Sequence, residues 1–221
     1  MSPRILAVFD FDHTVTSWDT TGRFIGWLLR RSPWRLSVVA LTAPLFAPLF
    51  LIRRTRKVPI HFSIWVATFG FSHEQLHALG RAHIAHIAGA GRMFVLQDAR
   101  SRIAQHQAQG HEVVVATGSL EFLAREILAS EGVRDVTIVG SSVRLYFGGM
   151  FVHQHCFAER KLHMLAARGF HPPWAFVYSD HEADLPLFHA GRERFVVNPQ
   201  PTSAARIAAS LGSAATILSW Q

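Results

Sequence analysis

Cysteine is almost absent from this chain, since Cys156 is the only one among 221 residues. A disulfide within the chain is therefore excluded, and the cysteine content does not point to an oxidising compartment. The first apolar run, residues 5–9, is too short for a secretory signal and leads straight into an acidic motif. We therefore expect a cytoplasmic protein.

Acidic residues are missing from one long stretch, because none occurs between Asp19 and Glu74. That stretch holds eight of the 22 Lys and Arg residues, which leaves 14 for the rest of the chain against all 15 acidic residues. The eight are Arg23, Arg30, Arg31, Arg35, Arg53, Arg54, Arg56 and Lys57. The net charge of +7 is thus confined to one segment. This placement favours a local anionic partner and argues against a protein that coats nucleic acid.

Charge is also missing from residues 36–52, a run of 17 residues inside the basic segment. As a helix it would be roughly 25 Å long, shorter than the ~30 Å hydrocarbon core of a bilayer, and Pro44 and Pro48 weaken a straight span. A single crossing would also separate the acidic motif, which precedes the run, from the other candidate catalytic groups, which follow it. They would then lie on opposite sides of the membrane. We expect the run to lie in the membrane interface, or to dip in and return, anchored by its basic flanks. The alternative is an apolar helical cap packed on the protein itself.

Elsewhere the chain alternates between strand and helix patterns, and 49% of its residues are apolar. Strands are predicted at 5–9, 112–116, 133–139, 175–178, 195–197 and 216–218, and a hairpin at 143–147 and 150–153. Helices are predicted at 72–88, 93–109, 120–130 and 158–168, with two more near Ala183 and Ala204. This alternation predicts an α/β fold with a doubly wound, Rossmann-like parallel sheet.

Two carboxylates and a hydroxyl follow the first predicted strand, in the order Asp10, Asp12 and Thr14. Open α/β sheets bind ligands at the carboxyl ends of their strands. Two carboxylates in one crevice can bind a divalent cation, which prefers oxygen ligands. One carboxylate would then be free to attack phosphorus as a nucleophile, and the other to donate or accept a proton. Taken alone, the pattern is equally compatible with an acidic loop.

Further polar groups follow the later strands. Thr117 and Gly118 come after the strand at 112–116 and suit a phosphate oxygen, since they supply a hydroxyl and amides at a helix start. Lys161 lies in the first turns of a later helix and can act as a point charge on a phosphate. Asp180 and Asp184 follow the strand at 175–178. Four such elements in order are far more specific than any one of them.

With these four motifs the chain resembles the haloacid dehalogenase superfamily. The helical segment after the first motif and the hairpin before Lys161 are similar to the phosphoserine phosphatase-like subfamily. Within it, the basic and apolar segment and the Ala116-Thr117-Gly118-Ser119 run most resemble the bacterial phosphatidylglycerophosphatase C type. The resemblance implies a catalytic core of residues 1–18 and 89–221, and a helical cap of residues 19–88 inserted after the first strand.

The resemblance also implies a role for each matching residue. Asp10 would be the nucleophile and Asp12 the general acid and base, while Thr117 and Lys161 would stabilise the transferring phosphoryl, with Gly118 beside them. Mg²⁺ would be bound by Asp10, Asp180 and the backbone carbonyl of Asp12. Thr14 and Asp184 would support the site.

Two departures from the family pattern bear on these assignments. His181 follows Asp180 where many relatives have serine, and Arg160 adjoins Lys161 without the glycine often seen nearby. The assignment of Lys161 therefore depends on order and spacing. Cys156 is interpreted as a packed small residue and not as a nucleophile.

The resemblance implies a Mg²⁺-dependent phosphomonoester phosphatase, and the apolar segment favours an anionic phospholipid such as phosphatidylglycerophosphate, dephosphorylated at the cytoplasmic face of the membrane. One alternative is a phosphatase of phosphoserine or another small soluble ester, with the apolar segment as an internal lid. Another is a membrane-associated binding protein without turnover.

Overall fold

The computed structural model describes residues 4–52, 55 and 57–221. The strands within this part of the chain are β1 (Leu6–Phe9), β2 (Glu112–Leu120), β3 (Val136–Tyr146), β4 (Gly149–Gln154), β5 (Trp174–Ser179), β6 (Gly191–Val197) and β7 (Thr216–Leu218). The α-helices are α1 (Thr20–Arg30), α2 (Pro33–Leu51), α3 (Lys57–Thr68), α4 (His73–Gly89), α5 (Gln97–Ala108), α6 (Glu121–Ser130), α7 (Glu159–Ala167), α8 (Leu185–Ala190) and α9 (Pro201–Leu211). A 3-10 helix spans Glu182–Asp184.

The strands form one seven-stranded sheet in the order β4-β3-β2-β1-β5-β6-β7. Neighbouring strands are parallel, apart from the antiparallel hairpin of β3 and β4. β1 lies between β2 and β5, and a strand covered on both faces must be apolar along its whole length, as β1 is. The predicted α/β fold with a mostly parallel, Rossmann-like sheet is confirmed.

Apolar side chains from β1 enter a separate core on each face of the sheet, because successive residues of a strand point to opposite sides. Ala7 and Phe9 contribute to one core, and Phe9 stacks on Tyr178 with 4.3 Å between ring centroids. Val8 contributes to the other core together with Trp174 and Phe188. The two cores hold β1 in place and so fix where the residues after it emerge.

Several predicted elements have other bounds in the structure. The helix predicted from residue 93 begins only at Gln97, because Val95 instead forms an antiparallel bridge with Thr16. The strand predicted at 133–139 and the first hairpin strand are one continuous strand, β3, which pairs with β2 along its first half and with β4 along its second.

Helices α1 to α4 lie between β1 and α5 in the sequence and share a third apolar core with the rest of the chain. Phe24 of α1 and Val66 of α3 pack there with Leu123 of α6 and Met150 of β4. The predicted N-cap of α4 is present, since Ser72 accepts a hydrogen bond from the Gln75 amide and the Gln75 side chain accepts one from the Ser72 amide. The boundaries 19–88 of a cap stay a prediction.

Helix α2 carries most of the apolar run at 36–52. It contacts α1 and α3, yet residues 33–49 include no fully buried side chain. In the described parts of the chain, no helix is long and apolar enough to cross a membrane. Arg53, Arg54 and Arg56, which form most of the predicted second basic flank, lie outside the described residues.

The hairpin approaches α3 so closely that Gly149 leaves no room for a side chain. A Cβ atom there would lie 2.7 Å from the Trp65 carbonyl oxygen. We expect Gly149→Ala to lower the free energy of unfolding by about 1–3 kcal/mol, because the hairpin or α3 must shift. Gly89→Ala is the matched control, since a Cβ there has open space, and it should be neutral or slightly stabilising. Thermal unfolding followed by circular dichroism measures both, and equal stability of the two variants would contradict the tight contact.

Candidate active site

A tight turn after β1 presents the first two acids at the carboxyl edge of the sheet. The Asp10 amide donates to the Tyr178 carbonyl at 2.8 Å and so extends the pairing of β1 with β5. The Phe11 carbonyl accepts hydrogen bonds from the amides of residues 14–16, which closes the turn. His13, inside the turn, has a φ of 59°. The turn allows Asp10 and Asp12 to leave the strand at the same edge.

Lys161 lies between two carboxylates in the interior of the site. Its Nζ donates to Asp10 Oδ1 at 2.5 Å and to Asp184 Oδ2 at 2.7 Å, and the side chain is almost fully buried. Burial alone would lower the pKa of Lys161, but the two carboxylates outweigh it and raise that pKa, so the ammonium stays charged. Arg160 is exposed. The structure therefore places Lys161, and not Arg160, at the carboxylates.

Asp184 is held from a second side as well. The Ser179 hydroxyl donates to the same Oδ2 atom at 2.7 Å. Its other oxygen, Oδ1, is buried and has no hydrogen-bond partner among the described residues. A buried carboxylate oxygen is costly to leave unpaired, so this atom is suited to accept a hydrogen bond from a water molecule.

Asp180 joins the group through Thr14. The Thr14 hydroxyl lies 3.5 Å from Asp10 Oδ2 and 3.4 Å from Asp180 Oδ1, within reach of both carboxylates. Burial raises the pKa of Asp10 above its usual range, even though Lys161 lowers it. Burial likewise raises the pKa of Asp180. Both carboxylates therefore lack enough positive charge nearby to balance their loss of water.

These residues fit a hard divalent cation. Four carboxylates and the ammonium of Lys161 meet at this edge, so negative charge is in excess. The described residues contain no group of three or more His, Cys, Asp or Glu side chains arranged as metal ligands. A cation here would have to combine the carboxylates of Asp10 and Asp180 with backbone oxygen and water. Mg²⁺ prefers that mixture, because it keeps several of its waters.

Asp12 is oriented by groups that differ from those around Asp10. The amide of Thr20, at the start of α1, donates to Asp12 Oδ1 at 2.9 Å, and the Ser119 hydroxyl donates to Oδ2 at 2.6 Å. Thr21 donates to the Ser119 hydroxyl in turn, at 3.0 Å. Burial raises the pKa of Asp12 despite these hydrogen bonds. Two separate elements, α1 and β2, thus fix one carboxylate.

A bulge in β2 brings Ser119 to Asp12. The pairing with β3 passes from Thr117 opposite Gly140 to Leu120 opposite Ser141, so Gly118 and Ser119 are extra residues. The Ser119 amide donates to Thr117 Oγ1 at 2.9 Å, which tightens the bend. Thr117 itself is fully buried just before this bulge, in the strand that pairs with β1.

The sequence did not predict Ser119, Thr20 or Ser179 as site residues. Ser119 had the one available signal, a second hydroxyl two residues after Thr117, but the bulge that turns it toward Asp12 is not visible in the sequence. Cys156 is a packed residue: its thiol donates to the Val139 carbonyl, and burial raises its pKa to about 12, so it is not a nucleophile.

A cavity of about 480 Å³ opens beside Asp12, with Gly118 and Ser119 at the same end. Its apolar wall includes Ile25 of α1, Ile60 and Ile64 of α3, and Val143 and Val152 of the hairpin. The lining also includes other polar side chains, those of Asp19, Thr21, His61, Ser63, Ser141 and His155. A ligand in the cavity would therefore meet both aliphatic and polar groups. Asp12 is the site carboxylate that lines this cavity, whereas Asp10, which is 7% exposed, is not among its lining residues.

Comparisons with known proteins find solved structures with the same fold. A protein of Bordetella pertussis Tohama I described as having unknown function has a TM-score of 0.71 at 22% identity, covering 98% of this chain and 99% of that one. A phosphoserine phosphatase in apo form has a TM-score of 0.57 at 12% identity, covering 92% and 91%. Cytosolic 5'-nucleotidase IIIB bound to cytidine has a TM-score of 0.61 at 13% identity, covering 98% and 80%. At these identities the likeness shows a shared fold.

The family model of the haloacid dehalogenase-like hydrolases matches residues 7–189. The chain therefore belongs to this family. The prediction of an enzyme of the haloacid dehalogenase type is confirmed, and the chain shares its fold with phosphatases.

Removal of the Lys161 charge tests how the acids depend on it. We expect Lys161→Met to lower the free energy of unfolding by about 3–5 kcal/mol at neutral pH, because buried Asp10 and Asp184 lose their shared partner. Arg125→Met is the matched control, since it removes an exposed ion pair with Glu121 worth about 0.3–0.5 kcal/mol. Urea unfolding in chelator measures both. A loss for Lys161→Met no larger than the control's would show that the buried pair does not stabilise the fold.

Proposed function

We propose that this hydrolase is a Mg²⁺-dependent phosphomonoesterase that forms an aspartyl-phosphate on Asp10 and acts on an anionic phospholipid. Phosphatidylglycerophosphate is the substrate we favour. One observation carries the chemistry: buried Asp10 is paired with Lys161, while the separately held Asp12 faces a cavity. Two acids with different surroundings are suited to different tasks.

In the first step an Asp10 carboxylate oxygen attacks phosphorus. The bond between phosphorus and the ester oxygen breaks, and its electron pair stays on the leaving oxygen, which takes a proton from Asp12. The alcohol then leaves through the cavity. Lys161 and Thr117 stabilise the negative charge on the phosphoryl oxygens during transfer.

In the second step Asp12 takes a proton from a water molecule, whose oxygen bonds to phosphorus as the Asp10–phosphorus linkage breaks. Inorganic phosphate leaves, Asp10 is again a carboxylate and Asp12 is again protonated. Ser119 and Thr20 hold Asp12 in one orientation, so the same carboxyl can serve both steps. Asp184 positions Lys161.

Mg²⁺ would be held by the carboxylates of Asp10 and Asp180 and by the backbone carbonyl of Asp12. When bound, it offsets negative charge on the nucleophile and on the phosphate. Thr14, which contacts both carboxylates, keeps them together. The unpaired Asp184 Oδ1 is suited to a water molecule at this site.

The cavity supports the lipid substrate. Its lining includes branched aliphatic side chains from α1, α3 and the hairpin, beside polar ones such as Ser63 of α3. With phosphoserine or a similar small polar ester bound, these aliphatic side chains would stay exposed to water. The glycerol and acyl carbons of a phospholipid would cover them. The absence of acidic residues between Asp19 and Glu74 also favours a negatively charged surface as partner.

The same features support a location at the cytoplasmic face of the membrane and a division of the chain into two parts. Residues 1–18 and 89–221 would carry the chemistry, and residues 19–88 would form a cap that contacts lipid. Ile25, Ile60 and Ile64 of this cap line the cavity, so the part that contacts the lipid would also shape the pocket for it.

The nucleophile is tested by Asp10→Asn. We expect phosphate release from every substrate to fall by at least about a thousandfold, because an amide cannot form the acyl phosphate. Asp135→Asn, which removes a carboxylate from an exposed turn, should leave the rate unchanged. Release of inorganic phosphate in Mg²⁺ measures both. Normal turnover by Asp10→Asn would show that Asp10 is not the nucleophile.

The substrate class is tested by Val152→Thr, which places a hydroxyl on the apolar wall with little change of shape. We expect KM for phosphatidylglycerophosphate in mixed micelles to rise about threefold to tenfold, and KM for phosphoserine to stay the same. Val133→Thr, outside the cavity, is the control. If the protein hydrolyses soluble esters well and leaves the phospholipid untouched, the enzyme belongs to the soluble class instead.

A further inference from the structure

The tip of the β3–β4 hairpin has a bulky residue at a backbone position that favours asparagine or glycine. Phe147 and Gly148 form the two-residue turn, with φ values of 46° and 81°. A turn with positive φ at both positions strongly favours Asn-Gly, because a bulky side chain is strained in the left-handed region. Phe147 occupies that position and is 78% exposed. A strained, exposed aromatic residue indicates a role outside the packing of the monomer.

The hairpin tip adjoins α3. The Trp65 indole Nε1 donates to the Tyr146 carbonyl at 2.9 Å, and the Gly70 amide donates to the Gly148 carbonyl at 2.6 Å. An open groove of about 460 Å³ runs between them and on to α2. Its aromatic lining consists of Phe46, Phe62, Trp65, Tyr146, Phe147 and Phe151. The tip and the two helices thus present one continuous apolar surface.

Helix α2 extends this surface. Leu41 and Leu45 are 81% and 75% exposed, and after Arg35 the helix has no charged residue up to its end at Leu51. A helix that is apolar all round is normally buried in protein or in lipid. Here its packing against α1 and α3 covers only part of it.

The charges beside this surface indicate what covers it. Arg30, Arg31 and Arg35 precede or open α2, and no acidic residue occurs between Asp19 and Glu74 to balance them. The Arg35 guanidinium donates to the Phe69 carbonyl at 2.7 Å, at the edge of the aromatic residues. Apolar and aromatic residues bordered by arginine match an anionic bilayer, with the rings at headgroup level and the guanidinium groups at the lipid phosphates.

We propose that the hairpin tip, Tyr146 and Phe147, inserts into the interface of an anionic bilayer together with α2, as a second membrane contact distant from α2 in sequence. The proposal rests on the proposed function in that it supplies the membrane partner of the same cavity. Val143 and Val152 of this hairpin line the cavity, so insertion of the tip would bring the cavity to the lipid surface.

Phe147→Asn separates a membrane role from a structural one. Asparagine suits the left-handed turn position, so we expect the thermal midpoint to stay the same or to rise. We expect binding to vesicles of phosphatidylcholine and phosphatidylglycerol to weaken about tenfold, because an inserted ring is lost. Ile217→Thr is the control, since it alters an exposed apolar residue, 64% exposed, on β7 at the opposite edge of the sheet. It should bind vesicles as the unaltered protein does.

Cosedimentation with vesicles, without substrate, measures binding, and light scattering after gel filtration measures the oligomeric state. Unchanged binding of Phe147→Asn, or no binding by the unaltered protein, would overturn the proposal. It would also be overturned if the protein were a lipid-free dimer that Phe147→Asn dissociates, because the surface would then be covered by a second copy.

Failure of the proposed function gives a different result. If the protein needs Phe147 for vesicle binding but releases no phosphate from the phospholipid, the membrane contact is supported and the proposed substrate is wrong. If the protein hydrolyses the phospholipid and Phe147→Asn binds vesicles as well as the unaltered protein, the proposed substrate is supported and the hairpin contact is wrong. With the soluble ester phosphoserine, Phe147→Asn should turn over at the unaltered rate.

Discussion

The contact on which the site depends is the buried ion pairing of Lys161 with Asp10 and Asp184. The three residues come from the end of β1, from α7 and from the 3-10 helix after β5, so one ammonium group joins three distant parts of the chain. A charge this deeply buried is tolerated only when it is paired and hydrogen-bonded. The fold therefore has to bring these parts together, and in doing so it sets Asp10 beside Asp180 and Thr14.

The sequence predicted most of this group because parallel strands carry their carboxyl ends to the same edge of a sheet. Asp10, Thr117 and Asp180 each follow an apolar run, and that suffices to bring them close without knowledge of side-chain packing. Lys161 was harder, since Arg160 beside it has the same charge. Burial separates the two: the helix turns Lys161 inward to the carboxylates and Arg160 outward to water.

Other features could not be predicted because they depend on irregular backbone. Ser119 reaches Asp12 through a bulge of two residues in β2, and Phe147 sits in a left-handed turn where sequence rules place asparagine. The apolar run at 36–52 was ambiguous for another reason. Its composition suits a helix packed inside the protein as well as one lying against lipid. The structure adds that Leu41 and Leu45 are exposed, which composition does not predict.

The position of the cavity links these features. Asp12 lines it, together with aliphatic side chains of the same α3 and hairpin that carry aromatic residues of the neighbouring groove. A phosphate ester that reached Asp10 through it would leave its carbon chain between α3 and the hairpin. The charged phosphate would then lie deep at the sheet and the hydrocarbon toward the protein surface. A bilayer has the opposite order, with charged headgroups at its surface and hydrocarbon inside. If the substrate is a phospholipid, as we propose, its headgroup would have to enter the protein ahead of its acyl chains. The positive charge at Arg30, Arg31 and Arg35 would favour this by holding neighbouring anionic headgroups in place.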